Sequence, residues 1–176
     1  MTEVTQSTSR ARKRPSPDEA SGAVVLAAED LLQLREHARR AYPEECCGVL
    51  LGEAGDVVLV RSTCPTDNRR VTRLHDRYEV DPREILRLDR AAERRGLGVV
   101  GFYHSHPDHP PRPSATDAEQ AWPGYIYLIA AVTRAGEIPV RAWSYDEERR
   151  CFRELSVRVV QQARRPRRAG TQPGGE

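Results

Sequence analysis

Apolar residues along the chain follow two patterns: short runs of strand length, and two stretches in which apolar residues recur every three or four positions. That recurrence is the spacing of one face of an α-helix. It predicts a first helix over residues 29–42. The apolar residues of that face are Leu31, Leu32, Leu34 and Ala38.

A second helix is predicted after Asp81, because Pro82 occupies its first turn and Glu84 follows three residues after the cap. Proline in the first turn lacks only an N–H that would have no partner there, and a glutamate at that spacing is typical of a capping box. Gly96 closes the helix. Its buried stripe is formed by Ile85, Leu88 and Ala92.

The runs of strand length are rich in β-branched and aromatic residues and are bounded by turn residues. A hairpin is predicted through residues 52–56, and a polar loop from Pro65 to Asp76. The run Tyr125–Ala131 is apolar on both faces, as expected of a central strand that helices cover. We therefore expect an α/β fold, a helix–sheet–helix sandwich around a mixed sheet. The predicted strands are residues 23–26, 49–51, 57–60, 97–106, 125–133, 138–145 and 151–159.

The composition is that of one globular domain with polar ends. The chain has 176 residues, of which 38% are hydrophobic and 31% are charged. We expect the domain to cover residues 23–160, with disordered basic tails over residues 1–22 and 161–176. No apolar run approaches the roughly 18 residues that span a bilayer, so no membrane partner is expected.

The net charge of +2 is concentrated in the two tails. Of the 28 basic and 26 acidic residues, eight basic and four acidic residues lie in the tails, which leaves 20 and 22 between them, a net charge of −2. A domain with this balance lacks the basic surface that nucleic acids attract. Nucleic acid is therefore not an expected partner.

The four cysteines show no spacing typical of a disulfide framework or a structural metal site. Cys46 and Cys47 are neighbours with poor geometry for bridging each other, and small thiols are common in protein cores. Cys47 has a second interpretation, as a residue lining a cleft. The absence of paired spacings and of a signal peptide favours a reducing compartment, and we expect the cytoplasm.

Residues 104–117 carry the most specific chemical signal. A strand-like run leads into His104 and His106, whose side chains share one strand face roughly 6.6 Å apart along the chain. Pro107 should end the sheet pairing there, and three further prolines stiffen the loop that returns the chain to Asp117. Two imidazoles and a carboxylate are the ligand set of a catalytic zinc ion that keeps its fourth position for water. The segment therefore predicts a metal site.

Two other interpretations of this segment need weighing. Ser114 and Asp117 have the spacing of a capping box for a short helix that ends before residues 123–124, so the carboxylate alone favours a cap. The run from His104 to His109 also fits a metallo-β-lactamase signature. That fold needs further histidines downstream, and His109 is the last histidine of the chain. We expect His109 to be a solvated loop residue or part of the rim of a cleft.

The order His104, His106-Pro107, Ser114 and Asp117 resembles the JAMM (MPN-plus) metallopeptidase motif without a gap. The segment Tyr42–Gly52 is similar to the place where that family has an upstream acidic residue. Its Pro-Glu-Glu-x-Cys-Gly form resembles the bacterial branch that trims ubiquitin-like sulfur-carrier proteins. Further similarity runs through residues 76–82, 101–103 and 122–127 to 142–143, and the whole covers about residues 23–156.

The resemblance implies a fold similar to cytidine deaminases and a role for each motif residue. His104, His106 and Asp117 would hold one Zn²⁺ ion. Glu45 would act as general base, and Ser114 would donate a hydrogen bond to the oxyanion. Glu45 is preferred to Glu44 because its three-residue distance to Gly48 matches the family pattern. Glu44 is then interpreted as a solvated charge.

The resemblance also implies a substrate class. The expected activity is hydrolysis of the peptide or isopeptide bond after the C-terminal Gly-Gly of a ubiquitin-like β-grasp sulfur carrier. An isopeptidase that removes a ubiquitin-like tag from protein lysines is the alternative enzyme. A non-catalytic MPN scaffold subunit is the alternative from another class, although such subunits lack the ligand set. Relatives similar to RadC share the spacing but begin their loop His-Asn-His-Pro-Ser-Gly, which this chain does not. A homodimer is left open.

Overall fold

The computed structural model describes residues 22–68 and 80–161. All of the predicted tails except residues 22 and 161, most of the predicted polar loop, and residues 76–79 of the family resemblance lie outside these ranges. Seven strands and three helices are present in the described ranges, and none of the three helices is long and apolar enough to cross a membrane. In chain order they are β1 (Ala23–Ala27), α1 (Ala28–Ala41), β2 (Cys47–Glu53), β3 (Val57–Thr66), α2 (Pro82–Glu93), β4 (Gly98–Pro107), α3 (Ala115–Gln120), β5 (Ile126–Val132), β6 (Val140–Asp146) and β7 (Cys151–Val160).

All seven strands belong to one mixed sheet, in the spatial order β1-β3-β2-β4-β5-β6-β7. Three strand pairs are parallel, namely β1 with β3, β1 with β7, and β4 with β5, and the other pairs are antiparallel. Because β1 pairs with both β3 and β7, the sheet closes on itself. The predicted mixed α/β fold is confirmed. Closure of the sheet was not predicted, since a strand's own residues do not identify its neighbours.

The two longer helices pack against opposite faces of the central strands. Alternation along β5 shows this directly: Leu128 packs in one core with α1, and Ile129 packs in another core with α2. The first core takes residues from all seven strands together with Leu34 and Ala38 of α1. The second joins Leu88 and Ala92 of α2 to residues of β2, β4, β5 and β6. Burial on both faces explains why β5 is apolar throughout.

Helix α2 begins as the sequence predicts. The Asp81 carboxylate accepts a hydrogen bond from the backbone N–H of Arg83 (2.9 Å), and Pro82 is the first helical residue. Glu84 accepts a hydrogen bond from the guanidinium group of Arg87 (Nε to Oε2, 2.8 Å). Gly96, at φ +72°, follows the helix in the left-handed region.

The predicted hairpin of β2 and β3 is present, but both strands are longer than predicted. Pro65 and Thr66, assigned to a polar loop, extend β3 and pair with β2. The prediction of a loop at these two residues is therefore wrong. Proline usually disrupts the pairing of strands in a sheet. Pairing between β1 and β3 ends at Leu59, so the other edge of β3 is not paired with β1 at Pro65. Proline is tolerated on such an edge because no backbone N–H is needed there.

Candidate metal centre

Strand β4 carries two histidines on one face, as the sequence predicts. His104 pairs with Cys47 of β2 and with Ile129 of β5, and Pro107 is the last residue of the strand. Both imidazoles are buried, His104 to 1% and His106 to 7% relative exposure. Their Nε2 atoms lie 3.0 Å apart. The strand therefore places two nitrogen donor atoms close to each other.

The carboxylate of Asp117 completes this group from α3. Asp117 Oδ1 lies 3.2 Å from His104 Nε2, and Oδ2 lies 3.5 Å from His106 Nε2. The same carboxylate caps α3, because Oδ2 accepts hydrogen bonds from the backbone N–H of Ser114 (2.6 Å) and from its hydroxyl (2.7 Å). The cap and the ligand group are thus one arrangement, and the two interpretations of Asp117 do not compete.

The geometry of the three side chains fits a metal ion. Their donor atoms all lie within 4.8 Å of one another, and all three residues are buried. Ligand atoms about 2.0–2.1 Å from a tetrahedral zinc ion lie about 3.3–3.4 Å from each other. The 3.0 Å between the two Nε2 atoms and the 3.2 Å from His104 Nε2 to Asp117 Oδ1 are close to that value. The group can hold one ion without a large movement of any side chain.

The local electrostatics of the three side chains determine the protonation states in which they can bind a metal ion. Burial lowers the pKa of His104. Burial acts in the same direction on His106, but the hydrogen bond and negative charge of Asp117 outweigh it and raise the pKa of His106. Burial alone would raise the pKa of Asp117, whereas hydrogen bonds from the two histidines hold that pKa well below its usual range. A neutral His104 and an ionised Asp117 are the forms that bind metal.

Strand pairing brings Glu45 to the same place. Cys47 pairs with His104, and the backbone N–H of Ser105 donates to the Cys46 carbonyl (3.0 Å), so the antiparallel register sets Glu45 opposite His106. Glu45 is 6% exposed, and its charge contributes to the raised pKa of His106. The Asn68 side-chain amide donates to the Glu45 carbonyl (3.2 Å). Glu44, by contrast, is exposed.

The loop between the histidines and α3 is held by contacts that the sequence analysis missed. The Pro110 carbonyl lies 3.1 Å from His106 Nδ1 and fixes the orientation of that ring. The Trp143 indole donates to the Pro111 carbonyl (3.1 Å), and the Tyr42 hydroxyl donates to Asp108 Oδ2 (3.0 Å). Two of these acceptors are backbone carbonyls, which leave no signal in the sequence. His109 is exposed, as expected.

Cys46 and Cys47 have the surroundings of structural cysteines in a protein core. Both are buried, and burial raises the pKa of Cys46 to about 11 and that of Cys47 to about 12. The Cys47 sulfur lies 3.5 Å from Thr66 Oγ1 and donates to the Asp67 carbonyl at 3.9 Å. Thiols with pKa values this high are poor nucleophiles and poor metal ligands at neutral pH.

The mixed sheet and the buried His-His-Asp group define a candidate metallohydrolase domain. A comparison with protein families matches residues 27–146 to the prokaryotic homologs of the JAB domain. This match covers more than half of the chain, and the chain belongs to that family. The resemblance to JAMM-type peptidases is confirmed.

Three relatives of known name support this membership. The chain is 42% identical over 148 residues to the desampylase of Haloferax volcanii, across 79% of this chain and 98% of the relative. It is 32% identical to the CysO-cysteine peptidase of Mycobacterium tuberculosis, across 63% of this chain and 74% of the relative. It is 33% identical to a probable TtuB-protein conjugate cleaving protease of Thermus thermophilus, across 61% and 70%.

A solved structure shows the same fold. The solution structure of a protein from Desulfitobacterium hafniense aligns with a TM-score of 0.70 at 26% identity. The alignment covers 80% of this chain and 95% of that protein. The arrangement of strands and helices is therefore similar across nearly the whole of the aligned protein.

Proposed function

We propose that this protein is a zinc-dependent peptidase that hydrolyses the bond after the C-terminal Gly-Gly of a ubiquitin-like sulfur-carrier protein. The observation that carries the proposal is the convergence of His104, His106 and Asp117 in a buried group, with Glu45 set opposite His106 by strand pairing. Membership of the JAB family supports it. The expected similarity to cytidine deaminases stays a prediction.

His104, His106 and Asp117 would hold the ion. A nitrogen-nitrogen-oxygen donor set of this kind is typical of catalytic zinc. When bound, zinc lowers the pKa of a water molecule to about 7 and polarises the scissile carbonyl. Burial of all three ligands keeps bulk water from competing with them.

Glu45 would transfer protons, and Ser114 would stabilise the negative charge of the oxyanion. The Glu45 carboxylate takes a proton as water attacks the carbonyl carbon, and returns a proton to the nitrogen as the C–N bond breaks. The Ser114 hydroxyl donates to the developing oxyanion. In this structure that proton is donated to Asp117 Oδ2, so the exposed Ser114 hydroxyl must turn away from the carboxylate to act.

The substrate assignment is supported by the names of the relatives. One is named for a CysO-cysteine substrate, and another for conjugates of TtuB with protein. We propose the carrier extended beyond its Gly-Gly as the first substrate. Glycines next to the bond suit a narrow cleft, because they bring no side chain to it.

The alternative is an isopeptidase that releases a ubiquitin-like tag from protein lysines. The name of the Thermus thermophilus relative favours it, since that name describes cleavage of a protein conjugate. The two activities share the water, the carboxylate and the Gly-Gly acyl group. They differ only in the amine that leaves.

Intact-mass spectrometry tests the proposal. A β-grasp sulfur carrier with residues added after its Gly-Gly is incubated with the zinc-loaded protein and with a Glu45→Gln variant. The expected result is a mass loss that matches release after the second glycine, absent with Glu45→Gln, while both proteins retain zinc. Loss of zinc from the Glu45→Gln variant would contradict the assignment of Glu45 as a base.

A second substrate decides between the two activities. A lysine-linked conjugate of the same carrier is tested beside the linear extension. Cleavage of the conjugate alone would replace the carrier-trimming proposal with the isopeptidase. Cleavage of neither substrate by the zinc-loaded protein would overturn both.

A further inference from the structure

Trp122 is a large aromatic side chain left half in solvent. It is 51% exposed, whereas Trp143, the other tryptophan, is 9% exposed. An indole offers a large rigid surface, so its exposure leaves apolar area that another molecule can cover. Trp122 lies just after α3, the helix that carries Asp117.

The position of Trp122 is held from two sides. Its backbone N–H donates to the Tyr127 hydroxyl (2.7 Å), and that hydroxyl donates to the Trp122 carbonyl (3.3 Å). The indole and the Phe102 ring form a T-shaped pair with centroids 5.7 Å apart, and the indole lies 6.1 Å from the Tyr125 ring, centroid to centroid. An exposed side chain fixed in this way loses little conformational entropy when a ligand covers it.

Phe102 connects Trp122 to the metal centre. Phe102 precedes His104 by two residues on β4, so both side chains lie on the same face of the strand, about 6.6 Å apart along it. Together with the 5.7 Å between the Phe102 and Trp122 rings, this spacing puts the indole on the order of 12 Å from His104. An extended peptide covers that distance in about four residues.

We propose that Trp122 is a substrate-binding residue that packs against the tail of the ubiquitin-like substrate, at the residues immediately before its Gly-Gly. The inference rests on the proposed function and names a further contact of the same site. The two glycines occupy the positions next to the scissile bond. The indole then meets the first side chains of the tail, and an apolar or long aliphatic side chain is the chemistry that fits its face.

Steady-state kinetics on the extended carrier test this contact. We expect Trp122→Ala to raise KM about tenfold or more with kcat within about twofold, because the contact is made equally in the ground and transition states. Trp122→Phe should restore much of the affinity. Leu32→Ala is the matched control, since Leu32 is also exposed (57%) but lies on α1, which packs on the opposite face of the sheet. Its KM should stay within about twofold of wild type.

Tryptophan fluorescence gives a readout that a structural role would not move. In the Glu45→Gln background, carrier binding should change the indole emission. Trp122→Phe in the same background should abolish that change, because the remaining Trp143 is buried. Substituting the residue before the Gly-Gly with aspartate should weaken binding to wild type more than to Trp122→Ala.

The outcomes separate this inference from the proposed function. Wild-type cleavage with an unchanged KM in Trp122→Ala would overturn the inference alone. The inference would also be overturned if KM changed with the leaving group but not with the residue before the Gly-Gly. Failure of the wild type to cleave any Gly-Gly substrate would overturn the proposed function and this contact with it.

Discussion

At the scale of single residues, Asp117 shows how a helix cap can orient a candidate metal ligand. Two hydrogen bonds from Ser114 to Oδ2 hold the carboxylate at the start of α3. Its other oxygen, Oδ1, then lies 3.2 Å from His104 Nε2. A ligand fixed by its neighbours needs little rearrangement when an ion binds. The cap therefore contributes to the site as well as to the helix.

Asp117 and Ser114 can be separated by substitution. We expect Asp117→Asn to lose most of its bound zinc, because the amide keeps an acceptor for the cap but loses the negative charge. Ser114→Ala should retain about one zinc ion per chain and lose about 1 kcal/mol of stability, the usual effect of losing a cap. Metal analysis after gel filtration and urea unfolding measure the two effects. A full zinc content in Asp117→Asn would exclude Asp117 as a ligand.

The cysteines are expected to differ in reactivity. A thiol whose pKa is about 11, as for Cys46, is about 0.1% thiolate at pH 8. Iodoacetamide at pH 8 should therefore modify the exposed Cys151 while leaving Cys46 and Cys47 intact. All four should react in denaturant. Peptide mass spectrometry follows each site, and modification of Cys47 as fast as Cys151 would contradict the buried environment.

At the scale of elements, β4 positions the site through close packing with both neighbours. It is antiparallel to β2, which carries the segment after Glu45, and parallel to β5. A Cβ atom at Gly101 would overlap the backbone carbonyl of Ile126 on β5. Only glycine permits this approach. The spacing of β4 and β5 therefore depends on one position three residues before His104.

Gly101→Ala should destabilise the fold. We expect a loss of about 1–3 kcal/mol, the usual cost of forcing extra volume into a packed core. Gly98→Ala is the control on the same strand, since its nearest neighbour would be Asp89 Oδ1 at 3.9 Å, an ordinary contact. Urea unfolding with a constant m-value measures both variants. Equal stability of the two variants would show that the strands can separate at no cost.

At the scale of the whole molecule, the candidate metal centre depends on a strand and on the loop that brings the next helix back to it. Two candidate donors come from β4, and one comes from α3, at the end of the loop that follows β4. An ion bound by all three is bound only when the loop is in place. Metal binding should therefore stabilise the folded chain.

Zinc should raise the melting temperature in a pH-dependent way. At a free zinc concentration of about 100 times Kd, binding should add about 2.7 kcal/mol to the stability of the fold. This corresponds to a rise in melting temperature of roughly 5–10 °C, which a chelator should remove. The raised pKa of His106 means that the metal-free fold holds that proton at a higher pH than a free histidine does. Protons then compete with zinc, so the increment should shrink as the pH falls from 8 to 5.5. Calorimetry measures it, and an increment that grows on acidification would contradict the site.

Most of the local structure was predictable because it depends on neighbouring residues. The capped start of α2 and the shared face of the two histidines follow from backbone geometry alone. The ends of β2 and β3 were not predictable in the same way. Pro65 extends β3 only because β1 stops pairing at Leu59, a property of another strand.

The sequence by itself determined the donors and their local order: two histidines at strand spacing, and an aspartate at capping distance from a serine. Tertiary structure determined which other residues lie near these donors. The pairing of β2 with β4 sets Glu45 opposite His106, Trp122 packs against Phe102, and the sheet closes through β1. The physical reason is that spacing along a strand or helix is set by covalent geometry. Pairing between distant segments is set by which faces can be buried together, and that depends on the whole chain.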